Sequence, residues 1–293
     1  MNTSFINWIL VLFVSLSWGA SFMFTRLAVD EIAPTYLVIA RLFLASILLG
    51  PIFIRMKDLI LMSKEIPSIL ILGMINAALP FFLYAYSAQA LSAGMLSILN
   101  GTSPLFALII AITLFKQNTT LLQILGLCLG FVGLLIFIGF NQLSFIFFPV
   151  SLCLIGAFCY AYSNNILFKL NHIRSAALAS VTMISGFFFS LPLIFMETSE
   201  FSLNLSPQII FAIFFLGLIS TGISFIAYVV LLQRSSPVQA SSIIFLVPVT
   251  GIFWGAVFLG EVITRNVLIG AAFILVGIAL TNLFKPKELS KDV

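Results

Sequence analysis

The chain has 293 residues, of which 62% are hydrophobic and 8% are charged, and its formal net charge is +4. A composition this apolar excludes a soluble domain and is typical of a protein that crosses the membrane several times. The positive charge is therefore interpreted as a topology signal, and no nucleic-acid partner is expected.

The apolar segments are long enough to be membrane spans, because a bilayer requires about 20 apolar residues per helix. In chain order they lie at 8–25, 35–54, 67–87, 94–115, 121–139, 145–168, 176–196, 208–232, 238–259 and 266–284. The connectors are short, so no extramembrane domain is expected. No basic residue precedes the first segment and further spans follow it, so it is interpreted as a permanent helix and not as a signal peptide. The predicted fold class is an all-α membrane protein with ten transmembrane helices.

The basic residues indicate how the spans are oriented. With an even number of spans, both termini lie on one side, and this side receives ten of the 13 basic residues. Arg26 and Arg265 fall on the other side, and Arg41 lies within a span. The positive-inside rule therefore predicts a multi-pass protein of the cell (inner) membrane with cytoplasmic N and C termini.

The sequence also contains an internal repeat. A shift of 144 residues aligns 72–133 with 216–277 without a gap. The matched pairs include Tyr84 with Tyr228, Gln89 with Gln233, Pro104 with Pro248, and Gly126 with Gly270. Matches of these residue types in one register are not explained by apolar composition, so we interpret 1–141 and 142–293 as two five-helix repeats in one membrane unit.

The odd number of spans in each repeat predicts that the two repeats are inverted relative to one another. A second copy that begins after five crossings enters the membrane from the opposite face. Inverted repeats are typical of carriers that alternate between two faces of the membrane. The architecture therefore favours transport before any side chain is considered.

Several local motifs carry a family resemblance that covers 8–284. They are Trp18-Gly19-Ala20-Ser21-Phe22, Arg41, the Pro104 and Pro248 helices, Leu259-Gly260-Glu261, Gly270 and Val276-Gly277. In these features the chain resembles the EamA-type family of the drug/metabolite transporter superfamily. The resemblance implies a ten-helix exporter of amino acids, related metabolites or drugs. It also implies a cavity formed by spans 1, 3, 4, 6, 8 and 9, with spans 5 and 10 outside. Where the first repeat of that family usually has Glu, this chain has Lys116-Gln117.

The two repeat-related prolines are predicted hinge or gate residues. A proline lacks its N–H and leaves the carbonyl four residues earlier without its helical donor, here Asn100 for Pro104 and Ile244 for Pro248. A helix kinked beside a wet passage would expose these carbonyls as acceptors. The alternative is a packing kink that a neighbouring helix satisfies.

Polar and aromatic side chains inside the spans form the predicted substrate-binding set. They are Trp18, Ser21, Phe22, Tyr84, Asn100, Tyr160, Asn164 and Tyr228. Amides and hydroxyls suit a zwitterion or an amide, and Trp18 lies near mid-membrane, where its ring could stack on a solute. Each polar group could instead join two helices.

Two charged residues complete the predicted set of hinge or gate residues. Arg41 lies roughly two helical turns from Pro34, too deep for its side chain to reach water easily. It could attract an anionic or carboxylate group, or bond helix-end carbonyls and fix the fold. Glu261, at the outer end of span 9, could gate the passage or pair with Arg265.

These observations together predict a transporter of small metabolites such as amino acids, acting as an exporter by alternating access. The alternative is a multidrug or cation efflux carrier, and the alternative of another class is a non-transport receptor or a channel. No catalytic motif is present, so an enzyme is not expected, and no cofactor or metal is expected. The expected partners are a small-molecule substrate, the lipid bilayer and a second copy in a homo-oligomer. No span interior contains Asp or Glu, so the energy source stays open.

Overall fold

The fold is helical throughout the described part of the chain. A computed structural model describes residues 3–50, 56–116, 118–139, 143–170, 172–199, 204–234 and 237–283, and none of these lies in a strand. The helices are α1 (Thr3–Ala28), α2 (Pro34–Leu49), α3 (Met56–Ser63), α4 (Ile66–Ser87), α5 (Ala93–Thr113), α6 (Leu121–Ile138), α7 (Leu143–Lys169), α8 (Ser175–Ser190), α9 (207–234), α10 (Pro237–Leu259) and α11 (Arg265–Leu283). A 3₁₀ segment, Leu191–Met196, extends α8.

Seven helices of the described residues are long and apolar enough to cross a membrane. They are Phe5–Ala28, Ile66–Ser87, Ala93–Thr113, Leu121–Ile138, Ile146–Leu167, Ser175–Phe195 and Pro207–Leu231. Shorter apolar helices, at Pro34–Leu49, Ile243–Leu259 and Arg265–Thr281, occupy the positions predicted for spans 2, 9 and 10. The prediction of an all-helical membrane protein is therefore confirmed.

The structure adds detail to the connector between the second and third predicted spans. This connector, near 55–66, contains the short helix α3. The predicted second span runs to residue 54, whereas α2 ends at Leu49 and residues 51–55 lie outside the described part of the chain. Hydropathy finds the apolar run and does not resolve a glycine that ends the helix, here Gly50.

Side-chain caps mark the first turns of three helices. Ser92 Oγ accepts a hydrogen bond from Met95 N at 3.2 Å before α5, and Ser206 Oγ accepts one from Ile209 N at 3.4 Å at the start of α9. At α6, Thr120 and Gln123 form a reciprocal capping box. These caps satisfy backbone N–H groups that have no partner inside their own helix.

α4 and α9 each contain a π-helical segment at a position related by the 144-residue shift. The segments are Met74–Ala78 and Phe215–Ile223. In α4 the wider turn precedes Pro80, which cannot donate to the carbonyl of Asn76. In α9, Gly217 allows the close approach of α2, since a Cβ added to it would lie 2.6 Å from Leu44 Cβ. Such segments are often found at functional sites.

α6 and α11 pack against each other through glycines on both helices. A Cβ added to Gly126 would lie 2.7 Å from the carbonyl oxygen of Gly277, and one added to Gly133 would lie 2.9 Å from that of Gly270. The shift of 144 converts the first contact into the second, with the helices antiparallel. Small residues allow this close backbone approach, which is the usual basis of helix association in membranes.

Candidate functional site

A cavity of about 330 Å³ lies between the helices of the two predicted repeats. This volume is at the lower end of the range of about 300–1,000 Å³ usual for small-molecule pockets, so it accommodates one small solute. Helices α1, α4, α5, α7, α9 and α10 contribute to the lining, as the family resemblance implied, and α6 and α11 do not. The expectation was incomplete, because Leu37, Val38 and Arg41 of α2 and Met183 of α8 also line the cavity.

The structure brings together the residues predicted to bind substrate. All eight line the cavity, namely Trp18, Ser21, Phe22, Tyr84, Asn100, Tyr160, Asn164 and Tyr228. Of the residues predicted as hinge or gate, Arg41 and Pro104 also line it, whereas Pro248 and Glu261 do not. Ten of the twelve predicted site residues therefore surround one cavity.

The lining residues differ in exposure. Thr25, Leu37 and Ala85, towards the helix ends predicted to face outward, are buried. Towards the opposite ends of α7 and α10, Asn164 is exposed whereas Ile243 is buried. Asn164 is thus the exposed residue of the lining, and the other lining residues are buried or half-buried.

Aromatic rings form much of the cavity wall. The rings of Trp18 and Tyr228 have centroids 4.9 Å apart, and Tyr84 lies 5.7 Å from Phe22 and 6.2 Å from Tyr160. Trp18 Nε1 donates to Ser220 O at 3.0 Å, and the Tyr84 hydroxyl donates to Cys153 O at 3.0 Å. The polar atoms of these two rings hold helices together, and the rings contribute apolar surface to the cavity wall.

The π-helical segments contribute polar lining residues that sequence reasoning missed. Asn76 lies in the segment of α4 and donates to Ser163 Oγ at 2.7 Å. Ser220 and Thr221 lie in the segment of α9, and the buried hydroxyl of Ser220 has no hydrogen-bond partner among the described residues. The sequence signal was the run of small polar residues between Gly217 and Gly222 inside an apolar span.

Arg41 is a buried cation in the cavity wall, only 8% exposed. Its Nε donates to Thr221 Oγ1 at 2.5 Å, and its Cζ lies 3.8 Å from the centroid of the Phe81 ring. The ion pairs of the described residues are Arg26 with Asp30 and Arg174 with Asp58, so no carboxylate of this part of the chain neutralises Arg41. These contacts place the guanidinium group on the cavity and not at a helix-end carbonyl.

The two prolines have different effects on their helices. α5 is interrupted at Thr102, two residues before Pro104, and Ser103 Oγ donates to the released carbonyl of Asn100 at 2.9 Å. α10 continues as a regular helix through Pro248. Pro248 packs against α5 instead, since a Cβ on Gly101 would lie 2.7 Å from Pro248 Cγ. The helix is therefore broken near one proline only.

Glu261 joins the end of α10 to the start of α5. Its carboxylate accepts hydrogen bonds from Ala93 N at 2.5 Å and Gly94 N at 3.0 Å. Its own N–H donates to Gly255 O at 3.2 Å after Gly260, whose φ of +66° suits glycine. The alternative that Glu261 pairs with Arg265 is wrong, because its partners are the first backbone N–H groups of α5.

Comparison with protein families identifies the chain's relatives. The model of the EamA-like transporter family matches residues 6–139 and again residues 147–283. The "Uncharacterized transporter YoaV" of Bacillus subtilis is 26% identical over 279 residues, which cover 93% of this chain and 95% of that protein. The "Probable terminal-alkyne amino-acid exporter" of Streptantibioticus cattleyicolor is 25% identical, with coverages of 96% and 95%.

A solved structure shares the fold. One crystal structure superposes with a TM-score of 0.63 at 13% identity, covering 94% of this chain and 97% of that one. The "Probable amino-acid metabolite efflux pump" of Salmonella typhimurium is 24% identical, with 94% of each chain covered. The two family matches span most of the sequence, and the apolar helices agree with a protein that crosses the membrane several times. The chain belongs to the EamA-like transporter family.

Proposed function

We propose that this protein is a metabolite carrier with ten transmembrane helices, built from two inverted five-helix repeats, that works by alternating access. The observation that carries the proposal is the cavity of about 330 Å³ between the two halves, lined by aromatic and polar side chains. A continuous polar pore would be needed for a channel. A cavity whose lining comes from helices of both halves fits a carrier that binds a solute between them and then releases it on the other side.

Three observations support the inverted repeat. The glycine contacts between α6 and α11 are related to one another by the 144-residue shift, and they join antiparallel helices. The π-helical segments Met74–Ala78 and Phe215–Ile223 fall at related positions. The family model matches the two halves separately. An axis in the membrane plane, which relates 1–141 to 142–293, accounts for all three.

The proposed direction is export of amino acids or similar small metabolites from the cytoplasm across the inner membrane, with both termini cytoplasmic. Two relatives are named for export or efflux of amino acids or their metabolites. The exposed lining residue Asn164 lies towards the end of α7 that is predicted to face the cytoplasm, which suits loading from inside. An efflux carrier for drugs or cations is the second candidate, and the buried Arg41 disfavours it because like charges repel.

Counterflow in proteoliposomes tests the proposal, with labelled amino acids as the solutes. A carrier gives saturable uptake against preloaded unlabelled solute. Asn164→Ala should lower the rate because Asn164 lines the cavity, whereas Asn165→Ala is the matched control because that amide donates to Ala161 O of its own helix at 3.1 Å. Asn100→Ala and Trp18→Ala should also lower it. A non-saturable ion current would indicate a channel, and the absence of any flux would contradict the proposed function.

A further inference from the structure

We propose that Arg41, Thr221 and Phe81 form an anion-binding site in the cavity, which selects solutes that carry a carboxylate. The inference deepens the proposed function, on which its physiological meaning rests. It assigns Arg41, which the sequence grouped with the hinge or gate residues, to attraction of an anionic group, one of the two roles that the sequence left open for it.

Arg41 is buried without an ion-pair partner among the described residues. Its side chain is more than nine-tenths buried, yet it lines the cavity. A buried charge is costly unless a counter-charge and hydrogen bonds compensate it. No Asp or Glu is among the lining residues, and each ion pair of the described chain involves another arginine. An anionic solute inside the cavity would supply the counter-charge that the lining residues lack.

The contacts of the guanidinium group determine which part of it is available. Nε donates a hydrogen bond to Thr221 Oγ1, and one face of the guanidinium group lies on the Phe81 ring, with Cζ 3.8 Å from the ring centroid. Neither Nη group has a hydrogen-bond partner in the described part of the chain. These contacts fix the plane of the guanidinium and leave its terminal N–H groups, which match the two oxygens of a carboxylate.

Other residues of the cavity could contact the part of the solute that does not bind Arg41. Ser220, adjacent to Thr221, has a buried hydroxyl without a partner among the described residues. Phe22, Tyr84 and Tyr160 supply ring faces within the same cavity. An aromatic or aliphatic body can pack on these rings while its carboxylate binds Arg41. An organic cation would meet no acidic lining residue and would be repelled by Arg41.

Equilibrium binding to the purified protein tests the site with three probes of similar shape and different charge. These are phenylacetate, the neutral phenylacetamide and benzylammonium. We expect wild-type protein to bind phenylacetate at least about tenfold more tightly than either other probe, because one charge-assisted contact is worth that factor or more. Equal affinities, tighter binding of benzylammonium, or no binding of phenylacetate would overturn the inference.

The variants assign the preference to Arg41. Arg41→Gln should abolish the preference for phenylacetate over phenylacetamide, and Arg41→Lys should retain part of it. Arg26→Gln is the matched control because Arg26 is paired with Asp30 at the outer end of α1. If Arg41→Gln does not fold, Thr221→Val and Phe81→Leu test the assignment instead, since each should reduce the preference for phenylacetate over phenylacetamide by a smaller factor. The assignment would be overturned if this preference were unchanged in Arg41→Gln, or unchanged in both Thr221→Val and Phe81→Leu.

The experiment separates this inference from the proposed function. Carboxylate-selective binding without counterflow of any solute would retain the anion site and contradict transport. Counterflow with no discrimination between phenylacetate and phenylacetamide would retain transport and overturn the anion site.

Discussion

The two proline-containing helices α5 and α10 occupy related positions, yet only one of them is broken. Pro104 and Pro248 are 144 residues apart, and both helices contact each other beside the cavity. α5 is interrupted at Thr102, whereas α10 is regular through Pro248. A proline alone therefore does not determine whether the helix continues.

The residues just before each proline explain the difference. In α5, Thr102 Oγ1 donates to Leu99 O at 2.6 Å and Ser103 Oγ donates to Asn100 O at 2.9 Å. These side chains offer the carbonyls an alternative to the helical hydrogen bond. The related positions in α10 are Leu246 and Val247, which have no such donor. In α10 the hydroxyl of Thr250, which follows the proline, donates to Leu246 O and Val247 O within a regular helix. We therefore expect the break, which lies on the cavity, to depend on hydroxyl groups placed before the proline.

A substitution at the contact between α5 and α10 should cause the largest loss of stability. Gly101→Ala places a Cβ 2.7 Å from the rigid ring of Pro248, and we expect a loss of about 1–3 kcal/mol in unfolding free energy. Gly94→Ala is the matched control on the same helix, because its Cβ would meet α10 at an ordinary 3.5 Å. Thermal unfolding in micelles measures both. Equal effects of the two substitutions would show that the close approach at Gly101 does not matter.

A substitution of Glu261, which joins the end of α10 to the start of α5, should cause the next largest loss of stability. Glu261→Gln removes the charge from the group that accepts from Ala93 N and Gly94 N, and we expect a destabilisation of about 1 kcal/mol. The change in unfolding midpoint measures it. Glu65→Gln is the control, because the Glu65 carboxylate accepts a hydrogen bond from the Ser68 hydroxyl, at 3.3 Å, and from no backbone N–H of the described residues. If Glu261→Gln lowers the unfolding midpoint no more than Glu65→Gln does, the proposal that the Glu261 carboxylate stabilises the start of α5 is contradicted.

Replacing the two hydroxyl residues before Pro104 should cause the smallest change in stability, although it should alter the break in α5. Replacing Thr102 and Ser103 by the residues of α10, as Thr102→Leu with Ser103→Val, removes both competing donors. We expect the unfolding free energy to change by less than about 1 kcal/mol. Each lost hydrogen bond contributes about 1 kcal/mol, and the helical hydrogen bond that the N–H of residue 103 can then donate to Leu99 O offsets part of the loss. Hydrogen exchange at residues 102–106 should slow relative to 246–250. Exchange that remains as fast as in wild type would show that the proline alone breaks α5.

Much of the cavity could be predicted because polar residues inside spans are rare and therefore informative. Trp18, Asn100 and Tyr228 lie in apolar segments whose side chains otherwise face lipid or other helices, and all three line the cavity. Polar and amphipathic residues can be recognised in the sequence of an apolar span, so these residues could be predicted to line a cavity. Their hydrogen-bond partners depend on which helices are neighbours, which the sequence does not reveal.

The residues that were missed depend on local backbone geometry. Asn76, Ser220 and Thr221 line the cavity from π-helical segments, whose wider turn changes which residues face inward. A regular helical period does not predict this change of register. Glu261 was interpreted as a gate or a partner of Arg265, and its contact with the start of α5 could not be predicted because Ala93 is 168 residues away in sequence.

Accessibility of single cysteines tests the central claim, that the two repeats are inverted, most directly. Lys116 and Val262 are both exposed and lie in the related loops after α5 and after α10. In a protein whose three native cysteines are replaced, Lys116→Cys and Val262→Cys are labelled with a thiol reagent that does not cross the membrane. We predict that intact cells label Val262→Cys and that Lys116→Cys reacts only after the membrane is permeabilised. Labelling of both positions from the same side would contradict the inverted repeat and the alternating-access mechanism based on it.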